Sequence, residues 1–282
     1  MDTISDRNPR VVSALKLVKA GERRKTAKFL AEGSNAVGGA LENGLAIELF
    51  SSAEGLVKHA KVISDARRAA VPVWQVSDRV AQALSETVTP QGIVAVCHQP
   101  VHSLASLLDA LPAEAFVAVL IDVNDPGNAG AIIRVADAAG AHGVILVGDA
   151  VDPCNGKAIR ASAGSFFHLP VVRERDTSAV LRQLRDHGCM LLATTAEGEE
   201  SLTRLAQRET SPVQAGRVAW IFGNEAHGLS ATALAQADVK VRIPIFGQAE
   251  SLNLATAAAL CLYESARMFE LRANGQPGHR LP

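Results

Sequence analysis

From about residue 116 onward this chain repeats one alternation, a short apolar run followed by a segment with helical spacing. The apolar runs fall at 116–123, 143–148, 169–172, 189–195, 218–223 and 238–245, and the helical segments at 129–139, 157–163, 178–187 and 254–272. Strands that are apolar on both faces, with helices between them, predict a parallel sheet covered on both sides, so this half is read as α/β. Residues 29–99 alternate in shorter pieces, with helices at 35–43, 54–69 and 78–84 and strands at 46–50, 71–76 and 92–98. Ahead of them, Val11, Leu15, Val18, Phe29 and Leu30 keep helical spacing over 11–31, broken by Gly21. The expected division is a small α/β domain over 1–100, a linker over 101–115 and a larger domain over 116–282.

Bulk properties remove several classes of function. With 48% hydrophobic and 20% charged residues there is ample material for a core. The longest apolar stretch, 116–121, is too short to span a bilayer. The first ten residues, MDTISDRNPR, hold no apolar h-region, so no signal peptide is expected. Cys97, Cys154, Cys189 and Cys261 have neither close pairing nor zinc-ligand spacing and read as reduced thiols of a cytoplasmic protein. The eight histidines form no H-x-x-x-H or H-E-x-x-H grouping, so no metal is expected. Aromatics make up only 4%, against an RNA-binding sheet built on stacked aromatic side chains. A net charge of −1 argues against non-specific coating of nucleic acid. Residues 1–30, however, hold eight Lys and Arg against three acids, and Lys157, Arg160, Arg173 and Arg175 form a second cluster. Both groups are open to two readings, solvated helix faces or phosphate contacts.

Three segments place polar or charged residues beside glycines where a strand should end: DPGNAGAIIR (125–134), IFGNEAHGLS (221–230) and IPIFGQAESLN (243–253). In open α/β sheets, ligands sit beyond the carboxyl ends of the strands. Asn128 is placed to cap the helix that follows it. Arg134 lies about 9 Å further along that helix, and helical side chains lean back toward the N-terminus. A surface ion pair is the plainer reading of Arg134. Gly223 and Gly228 suit a backbone wrapped closely around a ligand, with Glu225 between them as a site acid or a solvated loop acid. Ser251 and Asn253 stand at the start of the last helix, where capping and ligand contact are compatible. The first segment also imitates a dinucleotide-binding unit, with Asp149 as the trailing acid. Yet its glycines are spaced G-x-x-G without the third, and Arg134 interrupts Ile132, Ile133, Val135 and Ala136.

In order and in detail, the three segments resemble the motifs of the SpoU (TrmH-like) branch of the SPOUT superfamily, the knotted RNA ribose 2′-O-methyltransferases. N-x-G-x-x-x-R fits Asn128, Gly130 and Arg134, and G-N-E-x-x-G-L-S fits residues 223–230. The resemblance implies a deep trefoil knot in the C-terminal domain, S-adenosyl-L-methionine (SAM) as cofactor, an rRNA (before a tRNA) as substrate, and a homodimer. It assigns Asn128, Arg134, Glu225, Ser251 and Asn253 to catalysis. Cofactor contacts fall on Thr194, Thr195, Gly223, Asn224, Gly228, Ile243, Ile245 and Leu252. FLAEGSNAVGGAL (29–41) and TVTPQGIVAV (87–96) make the N-terminal domain resemble the family's L30e-like substrate-binding domain, with RNA contacts expected from Arg23, Arg24, Lys25 and Arg160. A catalytically inactive RNA-binding protein on the same fold is the alternative, and an NAD-linked enzyme a third. The presence of all five catalytic-motif residues weighs against the first of these, and neither the RNA nor the nucleotide is named by the sequence.

Overall fold

The computed structural model describes residues 3–85, 87, 89–205 and 216–275. The chain divides into two compact units, Met1–Val101 with Asp152–His168, and His102–Val151 with Leu169–Pro282.

The first unit is built on a five-stranded mixed sheet of β1 (Thr3–Ile4), β2 (Lys28–Glu32), β3 (Ala46–Ser51), β4 (Val73–Val76) and β5 (Ile93–His98), in the order β1-β4-β3-β5-β2. The helical spacing over 11–31 does not continue to its end. Helices Pro9–Lys16 and Ala20–Thr26 form, with Gly21 inside the second, and Ala27 then takes a left-handed φ of 51° and stops the helix. Phe29 and Leu30 belong instead to β2, which runs antiparallel to β5 with Phe29 opposite Cys97. Consecutive buried residues there are the mark of a strand covered on both faces. The expected helix 54–69 is two helices, Ala53–Lys58 and Ala60–Arg68, interrupted at His59, whose Nε2 lies 2.8 Å from the Gln91 carbonyl.

Asp152–His168 lies in the first unit, although the apolar alternation assigned it to the second domain. Two ion pairs and an aromatic cluster hold it. Arg23 Nε donates to Asp152 Oδ2 at 2.8 Å, and Arg160 Nη1 to Glu32 Oε2 at 3.1 Å. The rings of Phe166 and Phe167 stand 5.7 and 6.2 Å from that of Phe29. These partners are far apart in sequence, so local pattern carries no trace of them.

The second unit holds seven parallel strands: β6 (Ala115–Ile121), β7 (Val144–Val147), β8 (Val171–Glu174), β9 (Cys189–Thr194), β10 (Glu200–Ser201), β11 (Arg217–Phe222) and β12 (Val239–Arg242). Their order is β10-β12-β9-β11-β6-β7-β8. The core strands are fully buried Val, Ile, Leu and Ala, as a doubly covered parallel sheet requires. The stretch expected to be a linker contains helix Leu104–Asp109, capped by Ser103 and Ser106, and buries Leu104, Leu107 and Leu108 in this unit's core. β12 is shorter than the apolar run 238–245 and ends at Arg242, ahead of Pro244, which has no N–H for a ladder. Residues 243–253 are then free to form an irregular segment before the last helix, Leu254–Gly275. That helix buries Ala258, Cys261, Leu262, Ser265 and Met268, and Trp220 Nε1 donates to Ser265 Oγ at 2.8 Å inside the core. All four cysteines are free and buried.

Candidate functional site

The three glycine-bearing segments follow the carboxyl ends of β6, β11 and β12, all strands of one parallel sheet. A chain of side-chain hydrogen bonds joins them. Asn128 Nδ2 donates to Glu225 Oε1 at 3.0 Å, and Asn253 Nδ2 donates to Asn128 Oδ1 at 3.1 Å. Asn253 Oδ1 meanwhile accepts from Ala255 N at 2.9 Å and Thr256 N at 3.3 Å, capping the last helix. Its two ends thus do two jobs, and capping and site contact coexist in one residue.

Asn128 is not the cap of its own helix. Helix Pro126–Ala138 starts from Asp125, whose side chain accepts from Asn128 N at 2.9 Å, with Pro126 at the first turn where its missing N–H costs nothing. The Asn128 amide is thereby released for Glu225 and Asn253. Glu225 also accepts from Asn124 N at 3.3 Å and Asp125 N at 3.2 Å. Partial burial works against its charge, but the bonds from Asn128 and from backbone N–H groups outweigh it and hold the carboxyl below its ordinary pKa. The group is therefore an ionised, multiply solvated anchor, and a poor proton acceptor.

The loop carrying Glu225 is closed by its neighbours. Asn224 N and Gly228 N each donate to the other residue's carbonyl, at 3.0 and 2.9 Å. A Cβ on Gly223 would lie 2.3 Å from the Gly228 carbonyl carbon, so glycine is required there by the loop's own backbone. Asn224, Gly223 and Gly228, expected around a cofactor, thus shape this loop and do not line the cavity described next.

An open cavity of about 170 Å³ lies beside the network, lined by Thr194, Thr195, Ala196, Val241, Ile243, Ile245, Glu250, Ser251, Leu252 and Ala257. Five of the expected cofactor residues, Thr194, Thr195, Ile243, Ile245 and Leu252, are in its wall, with Ser251. Thr194 Oγ1 is fixed by donation to Ile221 O at 2.9 Å. A concave, mostly apolar wall with a few polar groups is that of a small-molecule site. Sequence reasoning missed Glu250, which is the sole ionisable group among the described residues of that wall. Its position directly before Ser251 was the available signal.

Arg134 stands apart. It is exposed on helix Pro126–Ala138, makes no hydrogen bond or ion pair with a described residue, and is not bonded to the Asn128–Glu225–Asn253 chain. The expected RNA contacts divide. Arg24 and Lys25 are exposed. Arg23 is 2% exposed, and its guanidinium is occupied by Asp152 and the carbonyls of Leu17 and Val18. Arg160 is occupied by Glu32 and the Ser85 carbonyl. Both are corrected to structural residues, because a phosphate would have to displace a carboxylate already paired with the guanidinium, buried at Glu32 and half-buried at Asp152. No group of three or more metal-ligating side chains occurs among the described residues. No described helix is long and apolar enough to cross a membrane.

Residues 115–263 match the SpoU rRNA Methylase family, and residues 8–95 match an MRM3-like substrate binding domain. The chain is 37% identical to a 23S rRNA (guanosine(2553)-2′-O)-methyltransferase of Bacillus subtilis, covering 92% of this chain and 96% of the relative. Among solved structures it resembles an AdoMet-bound rRNA methyltransferase from Sinorhizobium meliloti, with a TM-score of 0.79 at 32% identity over 94% of this chain and 97% of that one. It also resembles the SpoU methyltransferase AviRb of Streptomyces viridochromogenes in complex with AdoMet, with a TM-score of 0.81 at 28% identity over 94% and 100%.

Proposed function

The chain belongs to the SpoU rRNA methylase family, and on that premise we infer that it transfers a methyl group from SAM to a ribose 2′-hydroxyl of ribosomal RNA. Its all-parallel second sheet is the one typical of the knotted SPOUT fold. The observation that carries the reading is the hydrogen-bonded union of Asn128, Glu225 and Asn253 next to a mostly apolar cavity.

The wall of that cavity suits SAM. Val241, Ile243, Ile245, Leu252 and Ala257 offer apolar surface for a purine nucleoside, the two threonines offer hydroxyls, and Glu250 offers a carboxylate to a cationic ligand. When bound, SAM supplies a sulfonium methyl already activated for transfer. The protein's task is then positioning, exclusion of water and management of one proton. Glu225, ionised and saturated with donors, ties its loop to the first segment, and Asn128 passes the link on to Asn253. Ser251, whose hydroxyl bonds to no described residue, orients the ribose. Arg134 meets the RNA. An arginine keeps its proton, so its guanidinium stabilises the developing alkoxide or grips the adjoining phosphate. Arg24 and Lys25 contribute phosphate contacts from the substrate-binding domain.

The working form is a homodimer. The outer face of the last helix carries Leu260 and Tyr263, 45% and 52% exposed, and Phe246 nearby in sequence is 91% exposed. Such apolar surface suits burial against a second copy. Leu260→Glu should give a folded monomer by light scattering with little methylation, and an unaltered protein that is monomeric and fully active would refute the dimer. Its substrate and its four buried free thiols suit the cytoplasm.

Mapping 2′-O-methyl groups in ribosomal RNA from a deletion strain tests the function. One ribose methylation should vanish and return with the unaltered gene. An unchanged map, with no heat on titration with SAM, would refute the reading.

A further inference from the structure

Asp122, directly after β6, has a backbone φ of 54°, in the left-handed region that side chains other than Asn and Asp rarely enter. Its surroundings over-determine that turn. Asp122 N donates to Val147 O at 3.0 Å, its Oδ1 accepts from Asp149 N at 2.8 Å, and its carbonyl accepts from Asn224 Nδ2 at 2.7 Å. A Cβ on Gly148 would stand 2.2 Å from Asp122 Oδ1, so the carboxylate occupies room that only a glycine at 148 leaves open.

Asn224 opens the loop that carries Glu225. Its Oδ1 accepts from Ala226 N at 2.9 Å and His227 N at 3.2 Å. A little further along the first segment, Asn124 N and Asp125 N donate to Glu225 itself. Residues 122–125 therefore grip the 224–228 loop at three points, one carbonyl and two N–H groups. The direction of all three is set by the turn at Asp122. Asp122 does not line the cavity.

We propose that Asp122 is a positioning residue for methyl transfer: by taking the left-handed turn and bracing on Asp149, it aims its carbonyl at Asn224 and the following N–H groups at Glu225, and so sets the loop against Asn128 and Asn253. Left-handed backbone at residues other than glycine persists only where surrounding structure enforces it, and it concentrates at functional sites. The proposal rests on the reading of the Asn128–Glu225–Asn253 chain as part of the methyl-transfer site.

Four variants test it: Asp122→Ala, Asp122→Asn, Asp122→Gly and Gly148→Ala. Each is measured for SAM affinity by titration, for single-turnover methylation of ribosomal RNA from the deletion strain, and for the Glu225 carboxyl titration by ¹³C NMR. In Asp122→Ala the rate should fall at least about tenfold, with SAM affinity within about threefold, and Glu225 should titrate nearer the ordinary carboxylate value. Asp122→Asn should restore rate and titration, since Asn tolerates the turn and its Oδ1 still accepts from Asp149 N. Glycine supplies the turn without the brace and should fall between them, and Gly148→Ala should resemble Asp122→Ala. Unchanged rate and unchanged Glu225 in Asp122→Ala would overturn the proposal. So would a joint fall of rate, SAM affinity and melting temperature with no rescue by Asn. A shifted Glu225 with an undiminished rate also overturns it, and removes the network from the reaction. The Glu225 readout needs no activity, so an inert unaltered protein, which would sink the proposed function, is distinguishable from a failure of this inference.

Discussion

Arg23 and Arg160 in the first unit and Arg134 in the second are the same residue type in opposite circumstances. The first two are bonded within the chain, Arg23 to a carboxylate and two backbone carbonyls and Arg160 to a carboxylate and one, and they hold Asp152–His168 in its place. The third is exposed and bonded to no described residue, on the same helix as Asn128, whose own amide is already partnered by Glu225 and Asn253. A charge that is fully partnered inside its own chain is spent on stability, and one left without a partner is available to a ligand. In a sequence the three look alike, and only the partner set separates them.

The sharpest way to break that contrast is Arg134→Ala. Single-turnover methylation should fall by about 10²-fold or more, as for loss of a donor to a developing oxyanion, while a SAM titration stays within about twofold. Near-normal rates would return Arg134 to the surface. Arg134→Lys should rescue poorly, because a point charge does not reproduce a planar fork.

Glu225→Gln comes next and probes the partnered side of the second unit. Its two oxygens accept from one side chain and two backbone N–H groups, and a glutamine has one acceptor oxygen and turns a donor toward donors. The rate should fall roughly tenfold to a hundredfold, in line with about 1.5–3 kcal/mol for a charge-assisted bond. The pH dependence has a definite sign. The folded pKa is depressed, so the stabilisation from Glu225 is complete above the pKa of an unfolded glutamate and is lost as pH falls through the lower folded value. An acid titration of melting temperature should show that loss in the unaltered protein and not in Glu225→Gln.

Arg23→Ala should act in the opposite register. The Arg23 side chain is 3% exposed and its Asp152 partner 20%, so the variant leaves a carboxylate stranded at a cost of about 3 kcal/mol. Calorimetry should record a lower melting temperature, with methylation per folded molecule unchanged. A selective loss of RNA affinity without loss of stability would restore Arg23 to the RNA interface.

The smallest effect belongs to Arg24→Ala and Lys25→Ala. Each should weaken RNA binding modestly and reduce the slope of log affinity against log salt by about one. Unaltered slopes would leave the exposed positive charge of the first unit without a role in binding.

Local pattern made most of the second unit legible. Its strands are runs of Val, Ile, Leu and Ala, and its polar segments fall after the strands, so periodicity located both sheet and site. The first unit was harder to read. The strand Lys28–Glu32 follows two helices so closely that its apolar residues continue their spacing, and only the left-handed Ala27 divides them. Within the site, Asn128 and Asp125 are both good caps three positions apart, and Pro126 decides in favour of Asp125. Gly223 was legible as a close approach, although what approaches is the loop's own backbone. The conformation of Asp122 left no trace in composition, because it follows from contacts with residues on two other loops.

The loan of Asp152–His168 to the first unit has a consequence for synthesis in time. A ribosome releases the N-terminal unit's last strand by His98, yet Phe166 and Phe167, which pack on Phe29, and Arg160, which pairs with Glu32, have not been made. At roughly 5–20 residues per second, several seconds pass before they emerge. During that interval Glu32 is a carboxylate without its arginine, and Phe29 lacks the two rings that pack on it. The first unit therefore cannot be finished when its own five strands have been made, and β6 and β7 of the second must leave the ribosome before it can close.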